Sequence, residues 1–258
     1  MAHLASKDSE TPRTPSIDPE EVAKFSAIAA EWWDPKGKFR PLHRFNPVRL
    51  GFIRDTVEAH FKLKPGLKRP FADLRILDIG CGGGLVSEPM ARLGASVTAV
   101  DASEENIKTA MTHAKEGGLD IDFRAGTVEG LIESGEAPFD IVLNLEVVEH
   151  VADPQSFLAD CASLVKPGGL TIVATLNRTA KAFALAIVGA EYVLGWLPRG
   201  THEFEKFLKP EEIERAVTKA GLLAEPPQGV SYNPLMDEWR LSSDSKVNYL
   251  LVAARPAE

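Results

Sequence analysis

Cysteine is scarce in this sequence, and its scarcity excludes two kinds of protein. The 258 residues contain two cysteines, Cys81 and Cys161, which lie far apart in segments with a structured pattern. Two distant cysteines build neither a disulfide framework nor a zinc cluster. We therefore expect a protein of a reducing compartment, the cytosol, and a packing role for Cys81.

The first residues lack the long apolar run of a secretory signal peptide. Residues 1–20 instead carry four acidic side chains among Ser, Thr and Pro, whereas a transit peptide is poor in acids. We expect residues 1–17 to form a disordered tail, and the protein to be cytoplasmic.

An excess of basic residues is also absent. Lysine and arginine number 29 against 37 acidic residues, which gives a formal net charge of -8. Binding along a nucleic-acid backbone depends on clustered basic side chains that displace counterions. We therefore expect no nucleic-acid partner.

Residues 18–70 are predicted to form a helical cap. Asp18-Pro19-Glu20-Glu21 combines an N-cap residue, a proline at the first helical position and a capping-box glutamate, so a helix that covers part of the site begins here. Residues 39–49 are rich in Pro, His and Arg, and helical spacing returns at residues 50–61. A basic linker, residues 62–70, ends the cap.

From residue 71 onward, apolar strands alternate with helices. The sequence predicts strands at residues 74–79, 97–100, 121–124, 139–145, 170–175 and 248–254. This alternation is typical of a parallel sheet with right-handed crossovers. We therefore predict a doubly wound, mostly parallel Rossmann-like α/β domain over residues 71–258, with an apolar insertion at residues 179–200 after strand five.

A glycine turn, Asp78-Ile79-Gly80-Cys81-Gly82-Gly83-Gly84, follows the first predicted strand. In a doubly wound sheet this turn is where the backbone meets a nucleotide-like ligand, and glycine removes Cβ atoms that would collide with it. The NAD fingerprint has a third glycine three positions after the second, but Leu85 stands there. The alternative is a turn that serves only helix packing.

Two acids favour S-adenosyl-L-methionine as the cofactor at Gly80 and Gly82. Asp101 ends the second strand, where a carboxylate accepts hydrogen bonds from ribose hydroxyls. Asp78 would repel a pyrophosphate but suits a ligand that carries an ammonium and a sulfonium. Thr127-Val128 lies in a loop that either flanks the adenine ring or is solvated.

Glu146, Glu149 and His150 follow the fourth predicted strand, at the sheet edge where ligands bind in this fold. Three roles stay open for them. They could hold a divalent ion such as Mg²⁺ that lowers the pKa of an acceptor hydroxyl. His150 or Glu149 could be the general base, or the group could be structural. His202 is a second candidate base.

Several motifs carry a family resemblance. Residues 77–84, 146–151 and 164–169 are similar to class I methyltransferases in general. Residues 32–34, 41–49, 175–178, 188–192 and 198–202 together resemble the ubiquinone biosynthesis O-methyltransferase family, over about residues 19–253. The resemblance implies cofactor contacts by Arg49, Gly80, Asp101 and Leu145, with Arg49 on the methionine carboxylate. Leu145 stands where relatives often have methionine.

That family methylates two hydroxyls during ubiquinone synthesis, one on a polyprenyl hydroxyphenol and one on a later demethylubiquinol. The resemblance therefore implies a lipid-tailed phenol or quinol substrate and a place in a ubiquinone-biosynthesis complex. The alternatives are a methyltransferase of another small phenol or acid, a nicotinamide oxidoreductase, and a non-catalytic protein that binds S-adenosylmethionine at a membrane.

The apolar insertion is too short and too interrupted by Glu191 for the span of about 20 residues that a bilayer helix needs. Leu185, Val188, Tyr192 and Trp196 share one helical face, which predicts a helix lying in the headgroup region. We expect peripheral contact with the inner membrane through residues 179–200. A substrate lid or a dimer contact is the alternative.

Overall fold

The computed structural model describes residues 16–64, 66–185, 203–233 and 236–257. The strands are β1 (Arg75–Ile79), β2 (Ser96–Asp101), β3 (Asp122–Ala125), β4 (Phe139–Leu145), β5 (Val165–Leu176), β6 (Leu223–Ala224), β7 (Gln228–Asn233), β8 (Glu238–Ser242) and β9 (Asn248–Ala254). The helices are α1 (Pro19–Ser26), α2 (Arg40–His60), α3 (Ser87–Arg92), α4 (Glu104–Glu116), α5 (Val128–Glu133), α6 (Pro154–Ser163), α7 (Ala180–Ala182) and α8 (Pro210–Lys219).

The described strands form one nine-stranded sheet in the order β3-β2-β1-β4-β5-β9-β7-β8, with β6 paired to β9. The first five strands along the chain pair in parallel, as predicted. Strand order reverses between β1 and β4, where Ile79 pairs with Val100 on one side and Asn144 on the other. A ligand in this fold binds at such a switch point, beside the carboxyl ends of the strands.

Both faces of the sheet are covered by helices. Val142 and Leu143 are neighbours on β4 but belong to opposite apolar clusters, because successive strand residues point to opposite faces. One cluster includes Phe157 of α6 and Ile213 of α8, and the other includes Ile53 of α2. This arrangement confirms the doubly wound α/β prediction.

The antiparallel end of the sheet contains three strands that the sequence did not reveal, which are the two-residue β6 and the longer β7 and β8. β7 pairs with both β8 and β9, and β8 pairs with β7 at the end of the strand order. Most residues of β7 and β8 are partly or fully exposed, so they lack the apolar run or clean alternation that marks a strand.

Helix α2 is continuous, so the expected break over residues 39–49 is wrong. Pro47 lies inside the helix, where it removes one backbone hydrogen bond. Phe45, Arg49, Ile53 and Val57 are all buried and are spaced four residues apart, which places them on one helical face. Packing of this face against the core offsets the loss at Pro47.

Two predictions concern residues that the structure describes only in part. Residues 186–202 hold most of the apolar insertion and His202, and they lie outside the described residues, as do residues 1–15 of the predicted tail. Before the insertion, Phe183 and Leu185 are 45% and 54% exposed. In the described ranges, no helix has both the length and the apolar composition needed to cross a membrane.

Candidate active site

A cavity of about 790 Å³, including its open mouth, lies between α1 and the carboxyl ends of β1, β2 and β4. The residues singled out from sequence that line it are Gly80, Gly82, Asp101, Thr127, Val128, Glu146 and His150. Arg49, Asp78, Leu145 and Glu149 are outside this lining.

The glycine turn is shaped by the protein's own side chains. Gly80 and Gly82 have φ of 67° and 54°, a region that glycine adopts without strain. A Cβ on Gly80 would lie 2.3 Å from a methyl of Val147, and a Cβ on Gly82 would lie 2.3 Å from the Trp32 ring. We expected these glycines to make room for a ligand, but here the close neighbours are Val147 and Trp32.

The Asp101 carboxylate is fixed by three donors. Its Oδ2 accepts from the Gly82 amide at 2.9 Å, and its Oδ1 accepts from the Ser103 amide at 2.8 Å and from Asn106 Nδ2 at 3.1 Å. Burial raises the pKa of this carboxyl, and the hydrogen bonds oppose the shift. An ionised carboxylate has about four lone-pair sites, so ribose hydroxyls can still donate to it.

Trp32 supports this carboxylate from the cap, a contact that sequence reasoning missed. Its Nε1 donates to Asn106 Oδ1 at 2.8 Å, and its ring stacks on Phe39 with centroids 3.7 Å apart. Asn106 in turn donates to Asp101. Nothing in the sequence links positions 32 and 106, so this contact could not be predicted.

Three predicted cofactor residues lie behind the turn instead of on the cavity wall. Asp78 is 3% exposed and accepts from Ser87 Oγ at 2.6 Å. Burial raises the pKa of Asp78 to about 6, against the opposing effects of the Ser87 bond and the Arg49 charge. Arg49 is 3% exposed and its Nε donates to Asn46, while Leu145 packs in an apolar cluster. None of the three lines the cavity, and their contact with the cofactor stays a prediction.

The loop after β3 is covered by the start of the described chain. Thr127 caps α5 by accepting from the Gly130 amide, and Val128 is 1% exposed. Glu129 Oε1 accepts from the Ser16 amide at 3.0 Å, and Ile17 forms a β-bridge with Val151. The predicted tail boundary at residue 17 is therefore wrong for its last two residues, which are held by long-range hydrogen bonds.

The acid-rich segment after β4 separates its three predicted functional side chains. Glu146 has φ of 59° and lines the cavity. Glu149 is buried and its Oε2 accepts from Thr175 Oγ1 at 2.8 Å, whereas His150 Nδ1 lies 2.9 Å from Glu21 Oε2. Across the described ranges, no group of three or more His, Cys, Asp or Glu side chains could hold a metal ion. The residues as arranged therefore do not fit the predicted Mg²⁺ site, because Glu149 and His150 point to other partners.

Burial and nearby charges have opposing effects on the pKa values of the ionisable groups at this end of the cavity. Burial raises the pKa of Glu146 to about 7, with a further contribution from Glu149 and opposition from Arg49. Burial lowers the pKa of His150, but the Glu21 hydrogen bond and the surrounding carboxylates raise it by more. The hydrogen bond from His150 is the largest effect on Glu21, whose pKa falls to about 2. The pair is thus an imidazole held against an ionised carboxylate.

A cavity at the switch point of a doubly wound sheet, with a glycine turn and an acid after β2, is an arrangement that class I SAM-dependent methyltransferases share with other nucleotide-binding α/β folds. A family model described as a methyltransferase domain matches residues 77–173. The crystal structure of magnesium protoporphyrin IX methyltransferase from Synechocystis PCC 6803 with bound SAH is 20% identical, with a TM-score of 0.56, and covers 89% of this chain and 99% of its own. A SAM-dependent methyltransferase from Thermotoga maritima is 19% identical with a TM-score of 0.59, over 91% of this chain and 99% of its own. These likenesses confirm the fold.

Curated relatives identify the family. The ubiquinone biosynthesis O-methyltransferase of Maricaulis maris (strain MCS10) is 68% identical over 94% of this chain and 95% of its own length. That of Parvibaculum lavamentivorans (strain DS-1) is 63% identical over 93% of this chain and 94% of its own length. The chain belongs to the ubiquinone biosynthesis O-methyltransferase family, and the resemblance carried by its motifs is confirmed.

Proposed function

We propose that this chain transfers the methyl group of S-adenosylmethionine to phenolic hydroxyls of polyprenylated ubiquinone precursors, at both O-methylation steps. The observation that carries the proposal is one cavity with Asp101 on one wall and His150 on another, in a chain 68% identical to a named relative. The cavity can therefore hold a nucleoside cofactor beside a proton acceptor.

In this proposal the cofactor lies along the ends of β1 and β2. Gly80 and Gly82 approach it through backbone, Asp101 accepts its ribose hydroxyls, and Thr127-Val128 flanks the adenine. Arg49 and Asp78 act from behind the turn through their charges. The buried Asp78 and the half-buried Glu146 suit a cofactor that carries an ammonium and a sulfonium.

The acceptor needs a base, because a phenol with a pKa of about 10 is mostly protonated at neutral pH. His150 Nε2 takes the phenolic proton while the oxygen attacks the methyl carbon. The O–C bond forms, the C–S bond breaks, and its electron pair stays on sulfur, so the cofactor leaves as a neutral thioether. Alignment of the three atoms supplies the rest of the rate enhancement.

Mass spectrometry tests the proposed reaction. The purified chain is incubated with S-adenosylmethionine and a short-chain demethylubiquinol, and in parallel with an unprenylated catechol. We expect a product in which one methyl replaces one hydrogen, formed faster from the prenylated acceptor. Asp101→Asn, assayed at a sub-saturating concentration of S-adenosylmethionine where its expected weaker cofactor binding limits turnover, is the negative control. Turnover of the unprenylated catechol alone would favour the runner-up, a methyltransferase of another small phenol.

The same assay run in EDTA and in Mg²⁺ tests metal dependence. Ligation by Glu146, Glu149 and His150 together would require Glu149 to leave Thr175 and His150 to turn from Glu21. Loss of product in EDTA, restored by Mg²⁺, would show that these side chains rearrange around an ion. Equal turnover in both would agree with the described geometry.

We further propose a cytoplasmic protein that docks on the inner membrane through residues 179–200, within reach of its lipid-tailed substrate and the rest of a biosynthetic complex. Phe183 and Leu185, at the described end of this segment, are exposed apolar side chains. Deleting residues 182–197 should abolish liposome flotation of a chain that still binds cofactor. Unchanged flotation would contradict the proposal.

A further inference from the structure

Helix α1 carries a glutamate whose position helix formation does not explain. Glu21 is 4% exposed on a helix of eight residues, although burying a carboxylate is unfavourable unless it is paired. The sequence predicts Glu21 as a capping-box residue. The Asp18 side chain caps the helix as predicted, but the Glu21 oxygens accept from Lys24 Nζ at 2.7 Å and meet His150 Nδ1 at 2.9 Å.

The same helix face contacts the imidazole a second time. Phe25 stands edge-on to the His150 ring, with centroids 5.1 Å apart and planes at 81°. Glu21 and Phe25 are four residues apart, so they are neighbours on one side of α1. Glu21, Phe25 and His150 all line the cavity. One helix therefore fixes both the position and the tilt of the ring at the cavity wall.

This geometry has a chemical consequence for the ring. Because the Glu21 carboxylate can only accept a hydrogen bond from neutral or charged imidazole, it holds a proton on Nδ1 and makes Nε2 the basic nitrogen. When Nε2 takes a proton, the carboxylate stabilises the imidazolium that forms. A buried acid performs these two functions for the histidine of serine hydrolases.

We propose that Glu21 is the positioning residue for His150, and that α1 thereby completes the general base only when it lies over the cofactor cavity. The proposal rests on the proposed function, since it assigns His150 the acceptor's proton.

Further contacts of α1 support the link to the cofactor side. Ser26 Oγ donates to Ser103 Oγ at 2.7 Å, and the Ser103 amide donates to Asp101. Just before the helix, the Ser16 carbonyl accepts from the Ala152 amide at 2.8 Å, two residues beyond His150. The segment that presents Glu21 is thus bonded both to the loop that holds Asp101 and to the loop that holds His150.

The kinetic test uses Glu21→Gln, with Glu21→Asp as the conservative variant and Glu20→Gln as the matched control, since Glu20 is the exposed neighbour. We expect Glu21→Gln to lower kcat about 10- to 100-fold with little change in the acceptor KM or cofactor affinity. Glu21→Asp should recover part of kcat, and Glu20→Gln should match wild type. Adding Glu21→Gln to His150→Gln should cost nothing more. Additive losses, or an unchanged kcat in Glu21→Gln, would overturn the proposal.

A second measurement does not depend on turnover. The ¹⁵N shifts of the His150 ring should report a proton on Nδ1 in the wild-type chain and a tautomer mixture in Glu21→Gln, while Glu20→Gln keeps the wild-type shifts. If wild type methylates nothing but this tautomer change occurs, the positioning role stands and the proposed function fails. If wild type turns over and the tautomer is unaffected by Glu21→Gln, the positioning role is refuted and the function stands.

Discussion

The two halves of the cavity differ in how far apart along the chain their partners lie. In the cofactor half, Asp101 accepts from Ser103 and Asn106, two and five positions away, and from Gly82, 19 positions away. In the acceptor half, His150 is held by Glu21, 129 positions away. In the proposed function, cofactor binding is therefore built mainly by local strand-loop-helix motifs. The proposed acceptor chemistry depends on the docking of a helix from the other end of the described chain.

The largest expected effect is a loss of kcat when the acceptor half of the cavity is changed. His150→Gln should lower kcat by about 100-fold or more, because positioned general bases contribute about 10²–10⁴-fold. Its cofactor affinity, measured by calorimetry, should stay within about twofold of wild type. A parallel loss of cofactor binding would show that the halves are not independent.

His60→Gln is the control for this substitution. His60 also has a ring nitrogen on a long-range partner, which here is the backbone carbonyl of Gly168 at 2.9 Å, but His60 is outside the cavity lining. Its replacement should leave kcat unchanged and lower only the unfolding temperature.

Asp101→Asn changes the cofactor half and should weaken cofactor binding without lowering kcat at saturation. The amide offers one acceptor oxygen in place of two, and its NH₂ would face the Gly82 or Ser103 amide, donor against donor. Since hydrogen bonds to charged groups contribute about 1.5–3 kcal/mol, we expect cofactor affinity to fall about 30- to 100-fold. Asp122→Asn, on the exposed start of β3, should bind cofactor like wild type. A near-normal kcat of Asp101→Asn at saturating cofactor would support the independence of the cofactor half from the acceptor half. A large loss of kcat would contradict it.

The local half is also the half that sequence could predict. Asp101 follows a buried strand at the spacing expected of a ribose-binding acid, and the glycine turn lies where a strand meets a helix. β4 was predicted with its observed ends because five of its seven residues are apolar, and all seven are buried in the structure. Residues close together in the sequence were sufficient to predict these elements.

The parts that sequence could not predict depend on tertiary contacts. β7 and β8 are half-exposed and are defined by pairing, and α2 continues through Pro47 because its buried face packs on the core. Glu21 carried a plausible local explanation as a capping residue, and that explanation was wrong. Its true partner is specified only once α1 docks beside β4.

A pH series sharpens the role of Asp78 within the cofactor half. Burial raises the pKa of Asp78 to about 6 from an ordinary 3.8, so the folded chain holds this proton more tightly than the unfolded chain. Stability therefore falls as pH rises from about 4 to about 6, and this group adds no further loss above that. The asparagine of Asp78→Asn does not titrate, so this variant should not show that loss. Between about pH 4 and about pH 6 its unfolding free energy should therefore rise relative to that of the wild type by up to about 3 kcal/mol. Urea unfolding of both chains checks this, and parallel curves would contradict the raised pKa.

The smallest expected effect is at Trp32, one of the residues through which the cap supports the local half. Trp32→Phe keeps the stack on Phe39 but removes the donor to Asn106, which is buried and supports Asp101. A lost buried hydrogen bond of this kind costs about 1 kcal/mol, so cofactor affinity should fall about three- to fivefold while kcat at saturation holds. Trp239→Phe, far from the cavity lining, is the matched control. If Trp32→Phe lowered kcat as much as Glu21→Gln, the cap would affect both halves of the cavity as a single unit. The distinction between a local cofactor half and a docked acceptor half would then be wrong.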